Sequence, residues 1–133
     1  MRKQAKNESA VLKREIQRLV REIVIKRDGT CILRHLRHCT DPVIQADHLI
    51  TRANSATYAD TRLIVALCRS CHGGYKKWHK EQYDALVKSI LPKDRVDLWE
   101  RMQLLSGRPT HMGISDWKAV IAELNQLLKT LTE

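Results

Sequence analysis

The 133-residue sequence predicts a small α+β domain, stapled at its centre by a metal and closed by helices at both ends. Three observations carry that expectation. All four cysteines, Cys31, Cys39, Cys68 and Cys71, fall in the central part of the chain. Two short apolar runs, 43–50 and 63–67, lie between the two cysteine pairs. Apolar residues at helical spacing precede and follow that region. The length suits one domain over 1–133, read as a basic N-terminal helix (1–27), a core (28–91) and C-terminal helices (92–133).

Taken in order, residues 8–26 read as an amphipathic helix. Leu12, Ile16, Leu19 and Ile23 form its stripe, Val20 and Val24 widen it, and Lys13, Arg14, Arg18 and Arg21 fill other faces. Asp28-Gly29 ends it. Residues 30–42 are expected to be a loop with a cysteine near each end. Residues 43–50, Val-Ile-Gln-Ala-Asp-His-Leu-Ile, begin β-branched and read as a strand, 51–61 as a polar loop, and Leu63–Leu67 as a buried strand. Cys68-Arg69-Ser70-Cys71 turns into a segment that is helical by about Tyr75. Pro92 breaks that helix near Leu91. Asp94 caps a helix to about Leu105, stopped by Gly107. Ser115 caps a last helix whose Trp117, Ile121, Leu124, Leu128 and Leu131 have coiled-coil spacing. That stripe suits core packing; a homodimer through it is the alternative.

Charge narrows the partners. The chain carries +9, from 24 Lys+Arg against 15 Asp+Glu. Residues 1–27 hold nine basic and three acidic side chains, 28–80 eight and four, and 81–133 seven and eight. The positive excess therefore lies in the first 80 residues, where it would attract a polyanion such as DNA. Met1-Arg2-Lys3-Gln4 is followed by no apolar run, and no stretch approaches the length of a membrane span. A cytoplasmic location and no membrane partner are expected, and in that reducing setting the cysteines favour metal over disulfides.

Cys68-x-x-Cys71 is a standard half of a zinc site, because a tight turn aims both thiolates at one ion. Cys31-x7-Cys39 is wider, and His35 and His38 between them are alternative donors. Four thiolates close a structural site without water, so Cys31, Cys39, Cys68 and Cys71 are the expected zinc ligands. Asp47, His48 and His72 then remain for other chemistry. Each has a plainer reading: His48 as a core histidine, Asp47 as a turn brace, His72 as a fourth zinc ligand.

Asp47-His48 on a short strand, followed some 20 residues later by Cys68-x-x-Cys71-His72, resembles the HNH family of ββα-metal endonucleases. The likeness covers roughly residues 31–79. It extends to the four-cysteine branch found in bacteriophage genomes, including NinG-type recombination nucleases. The resemblance implies His48 as general base, and Asp47 and His72 as ligands of a catalytic divalent ion such as Mg²⁺ or Mn²⁺. It implies DNA as substrate, with branched or nicked DNA as the recombination variant.

A neutral imidazole suits removal of a proton from water, and a sparsely ligated divalent ion suits stabilisation of the leaving oxygen. Neighbours on a regular strand face opposite sides, so β-structure is expected to end or distort at Asp47-His48. The chain departs from the family at Leu63, where relatives carry a bracing Asn; Asn54 is a candidate replacement. Arg52, Arg62, Arg69, Lys76 and Lys77 are candidate phosphate contacts. His79 is a candidate metal ligand or phosphate contact, or else a plain exposed histidine, and His111 reads as structural. Tyr75 and Trp78 are candidate stacking platforms. Two rivals to the nuclease are a catalytically inactive zinc module that binds nucleic acid, and a protein-interaction adaptor using the C-terminal stripe.

Overall fold

A computed structural model of the chain describes residues 2–50, 57–105 and 112–132, with side chains from residue 7 onward. Helix α1 (Arg2–Asp28) is followed by the single turn α2 (Arg34–Arg37), strand β1 (Ile44–His48) and a 3₁₀ turn at Thr61–Leu63. Strand β2 (Ile64–Cys68) leads into a wide π-turn at Cys71–Tyr75, then α3 (Lys76–Trp78), α4 (Lys80–Ile90), α5 (Lys93–Leu105) and α6 (Ile114–Thr132). The expected Gly107 stop and His111 lie outside the described residues, as do Arg52 and Asn54.

The two strands pair antiparallel, with Ile44 opposite Cys68, Asp47 opposite Val65 and His48 opposite Ile64. Such a ribbon is marginal alone; here both of its faces are covered. Leu63, Val65 and Leu67 join Leu33, Tyr83, Val87, Leu98 and Trp99 in one core that includes Cys31, Cys68 and Cys71. Ile64 and Ala66 join Ile16, Leu19, Val20, Ile23 and Val24 of α1, with Trp117 and Leu124 of α6, in the other. All five residues of β2 are buried, which explains its unbroken apolar run. The sheet is thus the wall between two cores.

The sequence stripe on α6 is spent on α1: Trp117 and Leu124 are buried there, and Val120, Ile121 and Leu128 pack at the margin. Lys13 lies over the Trp117 ring at 5.4 Å. Leu131 remains 40% exposed. No described helix is long and apolar enough to cross a membrane.

The outer edge of β2 is sealed by side chains in place of a third strand. Asp28 Oδ2 accepts the Ala66 N–H at 2.8 Å. Arg27 donates to the Thr61 and Ile64 carbonyls, both at 2.6 Å, and Arg95 donates to the Arg62 and Ile64 carbonyls. An edge so occupied offers no template to another strand.

Several local expectations shift. The 30–42 segment is not all loop, because α2 makes a turn there, closed by His38 in a left-handed conformation at φ 51°. Asp94 sits inside the first turn of α5, and the backbone N–H groups of Arg95 and Val96 bond instead to the Pro92 carbonyl. Ser115 does not cap α6. Asp116 reaches back to accept the Gly113 N–H at 2.8 Å, and Gly113 accepts the Trp117 N–H, so the third helical residue satisfies the cap.

Candidate functional site

The site grows from the junction of β2, the π-turn and the α2 loop. Cys31, Cys39, Cys68 and Cys71 converge so that all four sulfurs lie within 4.8 Å of one another. Metal–sulfur bonds of about 2.3 Å in a tetrahedron put sulfurs about 3.8 Å apart; Cys31 and Cys39 stand at 3.7 Å. The donor set and its size are consistent with a structural zinc site. His35 and His38 are exposed and lie outside the cluster.

The surroundings suit an anionic cluster. Arg37 donates to Cys71 Sγ at 3.1 Å and stacks its guanidinium on Tyr75 at 3.8 Å. Arg34, anchored on Thr30 Oγ1 and the Asp41 carbonyl, lies beside Cys39, whose sulfur raises the arginine's pKa. Burial opposes ionisation of Cys68. Hydrogen bonds from the Ser70 hydroxyl, the Cys71 N–H and neighbouring thiols outweigh it and hold that thiol down at about 6. Burial and an ionised Cys68 push Cys71 up.

Beside the sulfurs, β1 presents two different surfaces. Asp47 lies on the face shared with Val65 and α4, only 1% exposed. Its Oδ2 accepts from the Tyr83 hydroxyl at 2.5 Å, and its Oδ1 accepts from Lys76 Nζ at 2.5 Å. His72 Nε2 stands 3.3 Å from the same Oδ1, while its Nδ1 bonds Gln45 Oε1 at 2.7 Å. The two ring nitrogens of His72 thus meet an amide oxygen on one side and the Asp47 carboxylate on the other. Burial disfavours the Asp47 anion, but His72, the Lys76 charge and the Tyr83 hydroxyl outweigh it and lower its pKa. Tyr83, in turn, is held strongly protonated by burial and by that carboxylate.

His48 is the last residue of β1 and lies on the other face, toward α1. Its Nε2 is 2.9 Å from the Tyr58 carbonyl and its ring is 5.9 Å from the Tyr58 ring. The carbonyl can only accept, so Nε2 carries hydrogen and Nδ1 is the basic nitrogen of the neutral ring. The strand ends where the sequence requires a change of surface, yet the ladder is regular through His48. Asp47 and His72 are brought together, while His48 lies on the other face of the strand from Asp47.

The remaining candidates divide. Lys76 is an internal partner of Asp47 and of the His48 carbonyl. Lys77 lies over the ring of Trp78, which is 73% exposed. Tyr75 is engaged by Arg37 and by His79 at 5.6 Å. The π-turn and a helix break at His79 (φ −135°) remove the two-turn alignment of His72 and His79 that a regular helix would give. Arg62 is paired with Asp60, and Arg69 with Asp41. Leu63 is buried in the core, with its carbonyl accepting the Leu49 N–H.

Sequence reasoning missed Gln45 and Tyr83. Gln45 was within reach, since it lies two residues before Asp47 and shares its face; Tyr83 required knowing where α4 packs. No family model, no curated protein and no solved structure matches the chain.

Proposed function

We propose that the chain is a metal-dependent endonuclease of the HNH type that hydrolyses DNA phosphodiester bonds, with recombination or branched-DNA processing as its setting. Cys31, Cys39, Cys68 and Cys71 would hold a structural Zn²⁺. Asp47 and His72 would hold a catalytic Mg²⁺ or Mn²⁺, which when bound supplies Lewis-acid stabilisation of the leaving oxygen. The observation that carries the reading is the convergence of a buried carboxylate and an imidazole nitrogen at 3.3 Å, from two different elements, beside a four-sulfur cluster.

In this reading His48 is the general base for the attacking water, with its Nε2 held on the Tyr58 carbonyl. Gln45 holds the His72 ring in place at Nδ1. Lys77 and the exposed Trp78 would face the substrate.

The test is supercoiled plasmid with Mg²⁺ or Mn²⁺. Cutting by the wild type, abolished in His48→Ala with DNA binding kept, supports the enzyme. A second reading, a zinc-stabilised nucleic-acid-binding module without catalysis, is favoured by one observation: Lys76 already occupies the Asp47 oxygen that a divalent ion would use. Binding without cutting by the wild type would select it.

A further inference from the structure

We infer that helix α1 is a second DNA-contacting surface, gripping the sugar-phosphate backbone on the His48 side of the sheet. The inference rests on the reading of DNA as the partner. It gives particular residues to the expectation that the basic side of the first helix touches phosphates.

His48 faces α1, and the hollow of about 190 Å³ at its ring is lined by Gln17, Val20 and Arg21 of that helix together with Tyr58. Gln17 and Arg21 also line a larger groove of about 710 Å³ along the same helix, with Arg14, Arg18, Glu22 and Lys26. The two depressions share those residues, so a charged track leads along α1 to the histidine.

The track carries four cations against the one carboxylate of Glu22. Arg18 is occupied, clamping Glu15 at 2.5 Å and Glu22 at 3.1 Å, and so neutralises that carboxylate. Arg14 and Arg21 are exposed and form no ion pair with the described residues. They are seven positions apart, two helical turns on one face, or about 10 Å along the axis. Cations left exposed and unpaired on one face are what phosphate contact by counterion release requires. The buried side of α1 is committed to Ile16, Leu19, Val20, Ile23 and Val24, so the basic side is held rigidly outward.

The experiment is binding of a labelled DNA duplex, followed by fluorescence anisotropy from 50 to 200 mM salt without divalent ion. Each phosphate contact contributes about −0.9 to the slope of log K against log salt. Losing two in Arg14→Ala/Arg21→Ala should make the slope shallower by about 1.8, which shrinks the fall in affinity over that range by roughly tenfold. Arg14→Lys/Arg21→Lys should restore the slope, and Arg101→Ala/Lys129→Ala, on α5 and α6, should leave it unchanged. An unchanged slope in the α1 alanine variant overturns the inference. So does an equal change in the α5/α6 control, which would report net charge alone. A wild type that binds with the predicted slope pattern but never cuts plasmid keeps the α1 surface and removes the nuclease reading; a wild type that does not bind duplex DNA removes the surface.

Discussion

Asp47 and His48 are consecutive, yet they belong to opposite sides of the sheet: one is bound by Tyr83 and Lys76 of the α3–α4 face, the other by Tyr58 on the α1 face. Their substitutions should therefore report on different parts of the molecule. Asp47→Asn removes the anion that Lys76 and Tyr83 both address. It should cost about 1–3 kcal/mol, read as a lowered midpoint in thermal unfolding. The acid limb should change with it. Asp47 has a lowered pKa when folded, so its contribution is complete above its unfolded pKa of about 3.9 and is lost as pH falls through the folded value. Unfolding followed by circular dichroism from pH 6 to pH 2 should show a shallower pH dependence in Asp47→Asn than in the wild type.

Lys76 stands where a divalent ion would approach Asp47. Removing its charge in Lys76→Met should lower the midpoint of the divalent-free protein, because a buried carboxylate loses its counterion. It should also tighten Mn²⁺ binding at least severalfold, measured by calorimetry at pH 7. Equal Mn²⁺ affinity in the two proteins would show that the lysine does not compete for that oxygen.

Cys31, Cys68 and Cys71 sit inside one of the two cores and Cys39 packs against it, so the metal they would hold is bound up with folding. Zinc analysis of the purified chain should give one ion per molecule. Cys68→Ser or a strong chelator should unfold it, because structural zinc contributes about 10–16 kcal/mol in small domains. A chain that keeps its thermal midpoint with the metal stripped would show that apolar packing alone holds this half.

Trp78 is the most exposed aromatic among the described residues and shares its position with Lys77. Trp78→Ala should change stability by no more than about 0.5 kcal/mol. If bases stack there, single-stranded DNA affinity should fall by about 1–3 kcal/mol. Titration of a fluorescent oligonucleotide alongside thermal melting separates the two quantities.

Much of this architecture was legible because it depends on local pattern. The stripe of Leu12, Ile16, Leu19 and Ile23 marks α1, the apolar run at Leu63–Leu67 marks β2, and the tight Cys68–Cys71 turn marks half of the sulfur cluster. What escaped depends on distant parts of the chain. Tyr83 reaches Asp47 across 36 positions, and Arg27 seals an edge whose carbonyls lie 34 and 37 positions away. The π-turn at Cys71–Tyr75 answers to the geometry of the cluster rather than to helix propensity. Its consequence, the parting of His72 from His79, could not be read from spacing. Strand periodicity raised the opposite facing of Asp47 and His48, and the strand was expected to end or distort there; it ends at His48, but its ladder is regular up to that residue, so the two stay on opposite faces.

The edge contacts of β2 give a further expectation. Asp28→Ala leaves the Ala66 N–H without its acceptor and frees Arg27 from its ion pair, which should cost about 1–3 kcal/mol. Denaturant titration should show the loss as a lower midpoint at unchanged slope.

The two-sided sheet also fixes which pairings the chain can tolerate. Sliding β1 by a single residue would push the Asp47 carboxylate into the greasy layer beneath α1 and turn an imidazole toward the phenol of Tyr83. Each compartment accepts only its own guest, so an error of register is punished on both sides at once. Two five-residue strands that would hardly hold together in water are thereby locked into one alignment.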